Sequence, residues 1–487
     1  MSVDYLEGFF KPSSIAVVGA SRDPTKVGHQ LLSNLIARFK GRVYAVNPNA
    51  DEILGVKAFP SIASLPEVVD LAVISVPAPL VPSVLEECGV KGIRRVVIIS
   101  AGFKELGTSE GIRREELIVD IARRYKIRVV GPNCMGIYVP KTGLNTTFLD
   151  PKHMDFPNHG NIAFISQSGA FGIAVLDWAA MRGVGISKFV SLGNKCDVDE
   201  ADLIEYLLTD RDTQVITIYI EGVDNGRKFI DSLMKVTPYK PVIILKSGRS
   251  EEGARAIASH TGSLAGSDVI YDTVFKQFGA IRALGMEELF DMAIAFSMQP
   301  PAAGNRIAIL TVGGGSGVMA TDASVELGLK VPKLSDEIVN KLRKVLLPIA
   351  SPYNPIDVTG SARDEHLVEA MEILIRSGEV DGILWIPYFM APGITEELVK
   401  KFVSRLREAY NELGRLIPVV GAVTGGRYTM IKAHEAEELG IPMFPSVERA
   451  AKALWALYRY GAWLRKCGTF NDYMDNFIKN IYLKRGH

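Results

Sequence analysis

The chain is poor in cysteine: Cys88, Cys134, Cys196 and Cys467 are its four, far apart and with no Cys-x-x-Cys pair. This spacing offers neither a disulfide framework nor a zinc site, and the four read as thiols of a reducing, cytoplasmic compartment. An excess of either charge is also lacking, because 55 Lys and Arg residues balance 55 Asp and Glu residues with no block of one sign. Without clustered cations to displace phosphate counterions, a nucleic-acid partner is excluded. Long apolar runs are missing too. Leu71–Leu85 and Gly382–Thr395 are broken by prolines and fall short of the ~18 apolar residues that a membrane span needs. The start, Met1–Phe10, carries Asp4 and Glu7 where a secretory signal would carry basic residues and an apolar core. A soluble protein with no membrane partner is expected.

What the chain has is length and a repeating pattern. Its 487 residues predict about three domains. Short β-branched runs alternate with amphipathic helical stretches: Ser14–Gly19, Val43–Asn47, Leu71–Ser75, Val96–Ser100 and Arg128–Gly131. Such alternation makes a parallel, doubly wound sheet. The pattern restarts at Asn161-Ile-Ala-Phe-Ile-Ser and again at Arg306-Ile-Ala-Ile-Leu-Thr, each time with a strand that runs into a Gly/Ser turn. Three tandem α/β domains are therefore expected, 1–150, 151–300 and 301–487, with Pro/Gly-rich linkers at Asp150–Asn161 and Gln299–Asn305. Leu454, Leu457, Tyr458 and Trp463 lie at helical spacing, so a C-terminal helix should pack on the third domain.

In sheets of this kind, ligands bind where C-terminal strand ends meet helix N-termini. The first such turn reads Gly19-Ala20-Ser21-Arg22-Asp23-Pro24-Thr25-Lys26-Val27-Gly28. Its free N–H groups and the positive end of the following helix suit a phosphate, although an ordinary strand-to-helix turn can look the same. A nicotinamide site would show Gly-x-Gly-x-x-Gly and an acid ending the second strand. Here that strand ends in Asn47-Pro48, and Arg22 and Lys26 are in the loop. A ligand with additional phosphates fits better, and coenzyme A, with its 3′-phosphate, is one. Ser75-Val76-Pro77 and Ser100-Ala101-Gly102 end the third and fourth strands on the same rim, where they leave room for an extended ligand arm or serve as plain strand ends.

In the second domain, Ser166-Gln167-Ser168-Gly169 opens a helix. It can bind phosphate through hydroxyls and free N–H groups, or act simply as an N-cap. His260 lies among Gly248, Gly253, Gly262 and Gly266, with Lys246, Arg249 and Arg255 nearby. An imidazole there can serve as a nucleophile toward a phosphoryl group, with glycines to let it move, or be a structural histidine. Glu221, ending the strand Val215–Ile220, can fix the tautomer of such a histidine or be a solvated strand-end charge. In the third domain, Gly313–Gly317 reads as a further anion site or as close backbone packing, and Asn354–Thr359 as a rigid turn.

The Gly-Ala-Ser turn with Asn47-Pro48, Gly131-Pro132-Asn133-Cys134-Met135-Gly136, Ser166–Gly169, Ile220-Glu221-Gly222 and His260-Thr261-Gly262 follow one another along the chain. In this order they resemble the α subunit of ADP-forming acyl-CoA synthetases of the succinyl-CoA synthetase superfamily, in the acetyl-CoA synthetase branch. The resemblance implies a Rossmann-like coenzyme A domain followed by two flavodoxin-like ligase domains. It implies that His260 is transiently phosphorylated, that Glu221 steadies it, and that Ser166–Gly169 hold phosphate. The Gly19–Gly28 loop, Asn47, Pro48, Ser75–Pro77, Ser100–Gly102 and Asn133 would form the coenzyme A cleft. ADP, ATP and Mg²⁺ would sit on a separate ATP-grasp β subunit in an α₂β₂ assembly, with no metal on this chain. Ile173 stands where the succinyl enzymes carry a substrate tyrosine, which favours a monocarboxylate such as acetate over a dicarboxylate. A non-catalytic coenzyme A sensor is the alternative, and the presence of both His260 and Glu221 speaks against it.

Overall fold

A computed structural model describes residues 3–261 and 267–482, apart from the side chains at 3, 4, 257–261 and 481. The chain divides into two units, Met1–Met286 and Glu287–His487. Among the described residues the first unit holds two sheets and the second holds one.

The first sheet consists of β1 (Ser14–Val18), β2 (Arg42–Val46), β3 (Glu52–Ile53), β4 (Val56–Phe59), β5 (Leu71–Ile74), β6 (Arg95–Ile98) and β7 (Arg128–Val130), in the order β3-β4-β2-β1-β5-β6-β7. Every pairing is parallel except the β3–β4 hairpin. Leu54 and Gly55, both at positive φ, turn that hairpin. β1 and β5 are buried along their whole length, as apolar runs covered on both faces must be. The chain runs first to one side of β1 and then to the other, which leaves a crevice at the carboxyl end of β1.

The second sheet consists of β8 (Ile137–Val139), β9 (Leu144–Asn145), β10 (His159–Ser166), β11 (Ile186–Ser191), β12 (Val215–Ile220), β13 (Val242–Lys246) and β14 (Ile281–Ala283), in the order β14-β13-β12-β10-β11-β8-β9. β10 to β14 are parallel, while β8 runs antiparallel to β11, and β9 to β8. Residues 137–145, which the sequence pattern assigns to the first domain, thus extend the second sheet. His159, read as linker, opens β10.

A main-chain zipper joins the two sheets. The N–H groups of Ser191, Asn194, Cys196 and Val198 donate to the carbonyls of Gly136, Pro132, Gly131 and Val129 at 2.9–3.1 Å. Arg128 adds ion pairs to Asp197 and Asp202 at 2.8 and 2.9 Å. One apolar core runs on from Ile15 and Val73 to Ile165 and Ile218.

The second unit's sheet is parallel throughout: β15 (Ile307–Thr311), β16 (Ile356–Asp357), β17 (Gly382–Ile386), β18 (Val419–Ala422) and β19 (Met443–Phe444), in the order β16-β15-β17-β18-β19. The fully buried Trp385 stacks on Phe402, with ring centroids 4.2 Å apart. The expected C-terminal helix spans Val447–Cys467 and buries Leu454, Leu457 and Leu464. Gln299, expected in a linker, is instead buried in this unit, accepting from the N–H of Val419 and donating to the Gly440 carbonyl. Residues Gly313–Gly317 start the helix Gly314–Glu326, where Ser316 and Tyr388 share a hydroxyl hydrogen bond of 2.6 Å. Among the described residues no helix is long and apolar enough to cross a membrane.

A buried ion pair tests the second sheet. Lys188 and Asp210 are each 2% exposed and bonded to each other, with Thr213 donating to the same carboxylate. Lys188→Met leaves Asp210 buried without its cation and is expected to cost about 3–5 kcal/mol. Asp210→Leu added to it should recover part of that loss, as read from urea midpoints.

Candidate functional site

The first unit encloses a cavity of about 900 Å³ lined from both sheets. Every lining segment follows the carboxyl end of a strand or starts a helix there, Phe148 coming just after β9.

The first sheet contributes the turn after β1. Gly19 is at φ +91° and donates to the Val46 carbonyl at 3.0 Å. Gly28 is constrained differently, since a Cβ there would lie 1.9 Å from the Gly19 carbonyl oxygen, so the helix Val27–Arg38 can abut the turn only through a glycine. No side chain caps that helix, which leaves its first N–H groups available to an anion. Ala20, Ser21, Lys26 and Val27 line the cavity beside them. Asn47 donates to the Ala20 carbonyl at 2.7 Å, the Ser75 hydroxyl to the Val18 carbonyl at 3.1 Å, and the Ser100 hydroxyl to the Val76 carbonyl at 2.5 Å. These polar side chains therefore brace the rim against itself, and Val76, Pro77 and Ala101 complete its wall.

The second sheet contributes the turns after β10, β11 and β12. Ser168 caps the helix Gly169–Met181, accepting from the Phe171 N–H at 3.4 Å. Gln167 accepts at its side-chain oxygen from the N–H groups of Glu221 and Gly222, at 2.8 and 3.3 Å. The side-chain oxygen being so occupied, its amide NH₂ is left as a donor, and Gln167 lines the cavity. Glu221, 6% exposed, lines the cavity.

The sheets meet at Asn133 and Asn194. Asn133 donates to Asn194 at 3.3 Å, and Asn194 donates to Glu105 at 2.6 Å and to Glu115 at 2.8 Å. Lys104 pairs with Glu115 at 2.9 Å. Burial raises the affinity of Glu105 for its proton, but Asn194 and the N–H groups of Gly102 and Phe103 outweigh this and hold its carboxyl below the usual range. A Cβ on Gly193 would sit 2.3 Å from the Pro132 carbonyl oxygen, so this junction closes only around glycine.

Thus Gly19, Ala20, Ser21, Lys26, Val27, Gly28, Asn47, Ser75, Val76, Pro77, Ser100, Ala101, Asn133, Gln167, Ser168, Gly169 and Glu221 come together. Arg22, Pro48, Gly102 and Ser166 are not in the lining. Arg22 turns away to donate to the Glu52 carbonyl at 3.1 Å, and the fully buried Ser166 donates to the Ser168 carbonyl at 2.6 Å. Ile173 is half-buried in its helix and does not line the cavity. The backbone of His260 lies near the end of the helix Glu251–Thr261, and its side chain is outside the described residues. Met135, from the Gly131–Gly136 motif, also lines the cavity, as do Gly193, Asn194, Lys195, Lys104, Glu105, Phe148 and Asp224, which carry no motif in the sequence. Among the described residues no group of three or more His, Cys, Asp or Glu side chains is placed to hold a metal ion. Burial pushes the Cys134 thiol up to about 12, so it serves as an inert wall.

An uncapped helix start on one sheet and a Gln/Ser helix start on the other, around one cleft, are the build of a protein that brings an extended phosphate-bearing ligand against a second anion. Residues 13–140 match the CoA binding domain family, 159–296 the succinyl-CoA ligase like flavodoxin domain and 307–468 the ligase-CoA domain. The chain is 43% identical to the α subunit of acetate–CoA ligase (ADP-forming) I of Pyrococcus furiosus, covering 95% of this chain and 99% of that one. The α subunit of isoenzyme II from the same organism is also 43% identical, covering 93% of this chain and 97% of that one. A solved structure of the dinucleotide-forming acetyl-coenzyme A synthetase 1 of Ca. Korarchaeum cryptofilum, in complex with phosphate and ADP, is 40% identical with a TM-score of 0.85, over 96% of this chain and 98% of that one. The chain belongs to the family of ADP-forming acetate–CoA ligase α subunits.

The Asn194 junction makes a testable case. Asn194→Leu keeps the volume but removes the donor that Glu105 and Glu115 share, with an expected loss of about 1–3 kcal/mol at neutral pH. A carboxyl held low in the folded state stabilises above its unfolded pKa and loses that contribution as pH falls through the folded one. The gap between wild type and variant should therefore narrow as pH falls from about 5 to about 3, followed by chemical denaturation.

Proposed function

We propose that this chain is the α subunit of an ADP-forming acyl-CoA synthetase, converting an acyl-CoA, ADP and phosphate to a carboxylate, ATP and coenzyme A. The observation that carries the reading is the single cavity into which both sheets open, with the Gly19–Gly28 turn on one side and Gln167–Gly169 with Glu221 on the other. The membership of the family supports it throughout.

Coenzyme A would lie with its phosphates at the Gly19–Gly28 turn and its arm along Ser75–Pro77, Ser100–Ala101 and Asn133. The brace of Asn47, Ser75 and Ser100 fixes the rim before the ligand arrives, so little ordering entropy is lost on binding. Phosphate would be held at the start of the helix Gly169–Met181 by backbone N–H groups and the Gln167 amide. A phosphate oxygen attacks the thioester carbon, the C–S bond breaks, and coenzyme A leaves as thiolate. A nitrogen of His260 then attacks the phosphorus of the acyl phosphate, and the carboxylate departs with the bridging oxygen. Glu221 would accept from the other ring nitrogen, fixing the tautomer and stabilising phosphohistidine. The phosphoryl group then passes to ADP.

The nucleotide site and Mg²⁺ are assigned to a separate ATP-grasp β subunit in an α₂β₂ assembly in the cytoplasm, and the three domains to coenzyme A binding, phosphohistidine chemistry and a second ligase-like role. That the relatives from Pyrococcus furiosus are named as α subunits supports the need for a partner. Ile173 in place of a substrate tyrosine supports a monocarboxylate, with acetate the first choice.

The test is intact-mass spectrometry at neutral to alkaline pH after incubation of the chain and its partner subunit with acetyl-CoA, phosphate and Mg²⁺. One acid-labile phosphoryl group mapping to His260 is expected, and its absence across a panel of acyl-CoAs would return the chain to a coenzyme A sensor. His260→Ala should abolish ATP formation while leaving coenzyme A binding within about twofold, since the two sites lie on different sheets. Glu221→Gln should lower phosphohistidine yield or lifetime at least about 10-fold, measured by the same method.

A further inference from the structure

Lys195 is a buried cation that the mechanism above does not use. It follows β11, lines the cavity beside Glu221 and Asp224, and its side chain is 3% exposed. Its backbone is at φ +55°, a conformation that side-chain-bearing residues adopt at a cost and that tends to mark functional positions. Its ammonium donates to the Gly222 carbonyl at 2.8 Å and pairs with Glu200 at 3.1 Å, and Asp224 lies 3.7 Å away.

The Gly222 contact falls on the segment that carries Glu221. The N–H groups of Glu221 and Gly222 donate to Gln167, and that of Val223 donates to the Tyr271 hydroxyl at 3.0 Å. Three successive N–H groups are thus bound on one side, and the carbonyl of Gly222 is bound by Lys195 on the other. A Cβ built on Gly222 would meet nothing within 4 Å, and Val223 packs against the core, so at Gly222 itself the turn is held by hydrogen bonds. Glu200, the counter-ion of Lys195, is itself buried, 2% exposed, at the start of the helix Glu200–Thr209. The ammonium is therefore anchored at one end by a charge and applied at the other to the Glu221–Gly222 turn.

We propose that Lys195 is a positioning residue: through the Gly222 carbonyl it holds the turn that carries Glu221 at the cavity wall, and so sets the lifetime of the phosphohistidine. The inference rests on the reading of Glu221 given above. Gln167 and Tyr271 hold the same turn from the N–H side, so loss of Lys195 loosens it without releasing it.

The experiment compares phosphohistidine lifetime in the α chain assembled with its partner subunit. Lys195→Met/Glu200→Gln removes both buried charges together, which spares the fold an uncompensated ion. Lifetime is expected to fall about 10-fold while coenzyme A affinity, by calorimetric titration, stays within about twofold. Lys195→Arg keeps a charge beside Glu200, and with it the fold, but moves the donor from the Gly222 carbonyl, and should shorten lifetime in the same sense. Addition of Glu221→Gln to the double variant should cost little more, because both act through one carboxylate. Wild-type lifetime in the Lys195 variants, or a full additional loss with Glu221→Gln, overturns the inference alone. A wild-type assembly that never carries the phosphoryl group overturns the functional reading and this inference with it.

Discussion

Two parallel sheets bind ligands at their carboxyl ends, and a reaction between two ligands needs those ends to face each other. Helices normally cover both faces of such sheets, so one sheet must be led directly into the next with little chain between them. Here the segment 129–136 leaves β7 and is at once paired, backbone to backbone, with 191–198 leaving β11. The rest of the first unit depends on that zipper. It turns β8 and β9 onto the edge of the second sheet, closes the floor of the cavity, and brings Asn133 to Asn194. Its closeness explains the glycine at 193, where a side chain would strike the Pro132 carbonyl.

The cavity that results is lined mostly by apolar surface, and its charged residues are nearly balanced in sign. Lys104 and Lys195 each meet an acid within 3.1 Å, and Glu105 and Glu115 share the Asn194 amide. In a partly desolvated site an unpaired ion would be costly, so the ions present serve to fix backbone turns. Lys195 holds Gly222, and Glu105 holds Gly102 and Phe103. Lys26 lines the cavity at the Gly19–Gly28 turn, whereas at the phosphate site proposed on the second sheet anion binding would fall to groups without net charge, the N–H groups at the helix start and the Gln167 amide. Such donors can receive phosphate in either direction of a reversible reaction without trapping it as a strong cation would.

The same division decides what could be read from the sequence. Strands announced themselves by β-branched runs, and their ends by Gly, Ser and Pro, because these choices follow from local backbone demands. The turn at Gly19–Gly28, the helix start at Gln167–Gly169 and the strand end at Glu221 were legible for that reason, and seventeen of the expected positions meet around one cavity. Arg22 and Ser166 were less transparent. A loop arginine has the right charge for a phosphate, yet the β3–β4 hairpin places the Glu52 carbonyl within its reach, and that hairpin left only Leu54-Gly55 as its trace. The family resemblance added the roles proposed for His260 and Glu221, which spacing alone left open.

Lys195 and Asn194 left no local trace at all, since each acquires its part from a residue distant in the chain. Asn194 donates to Glu105 across 89 positions, and Lys195 reaches Gly222 across 27. A lysine in Gly193-Asn194-Lys195 reads as a solvated loop charge, and its burial follows only once β11 and β12 are placed on either side of β10. Local motifs report which backbone groups are free to bind a ligand. Which side chains hold those groups still is a property of the sheet order and of the zipper between sheets, and there the physical argument has to pass from sequence to structure.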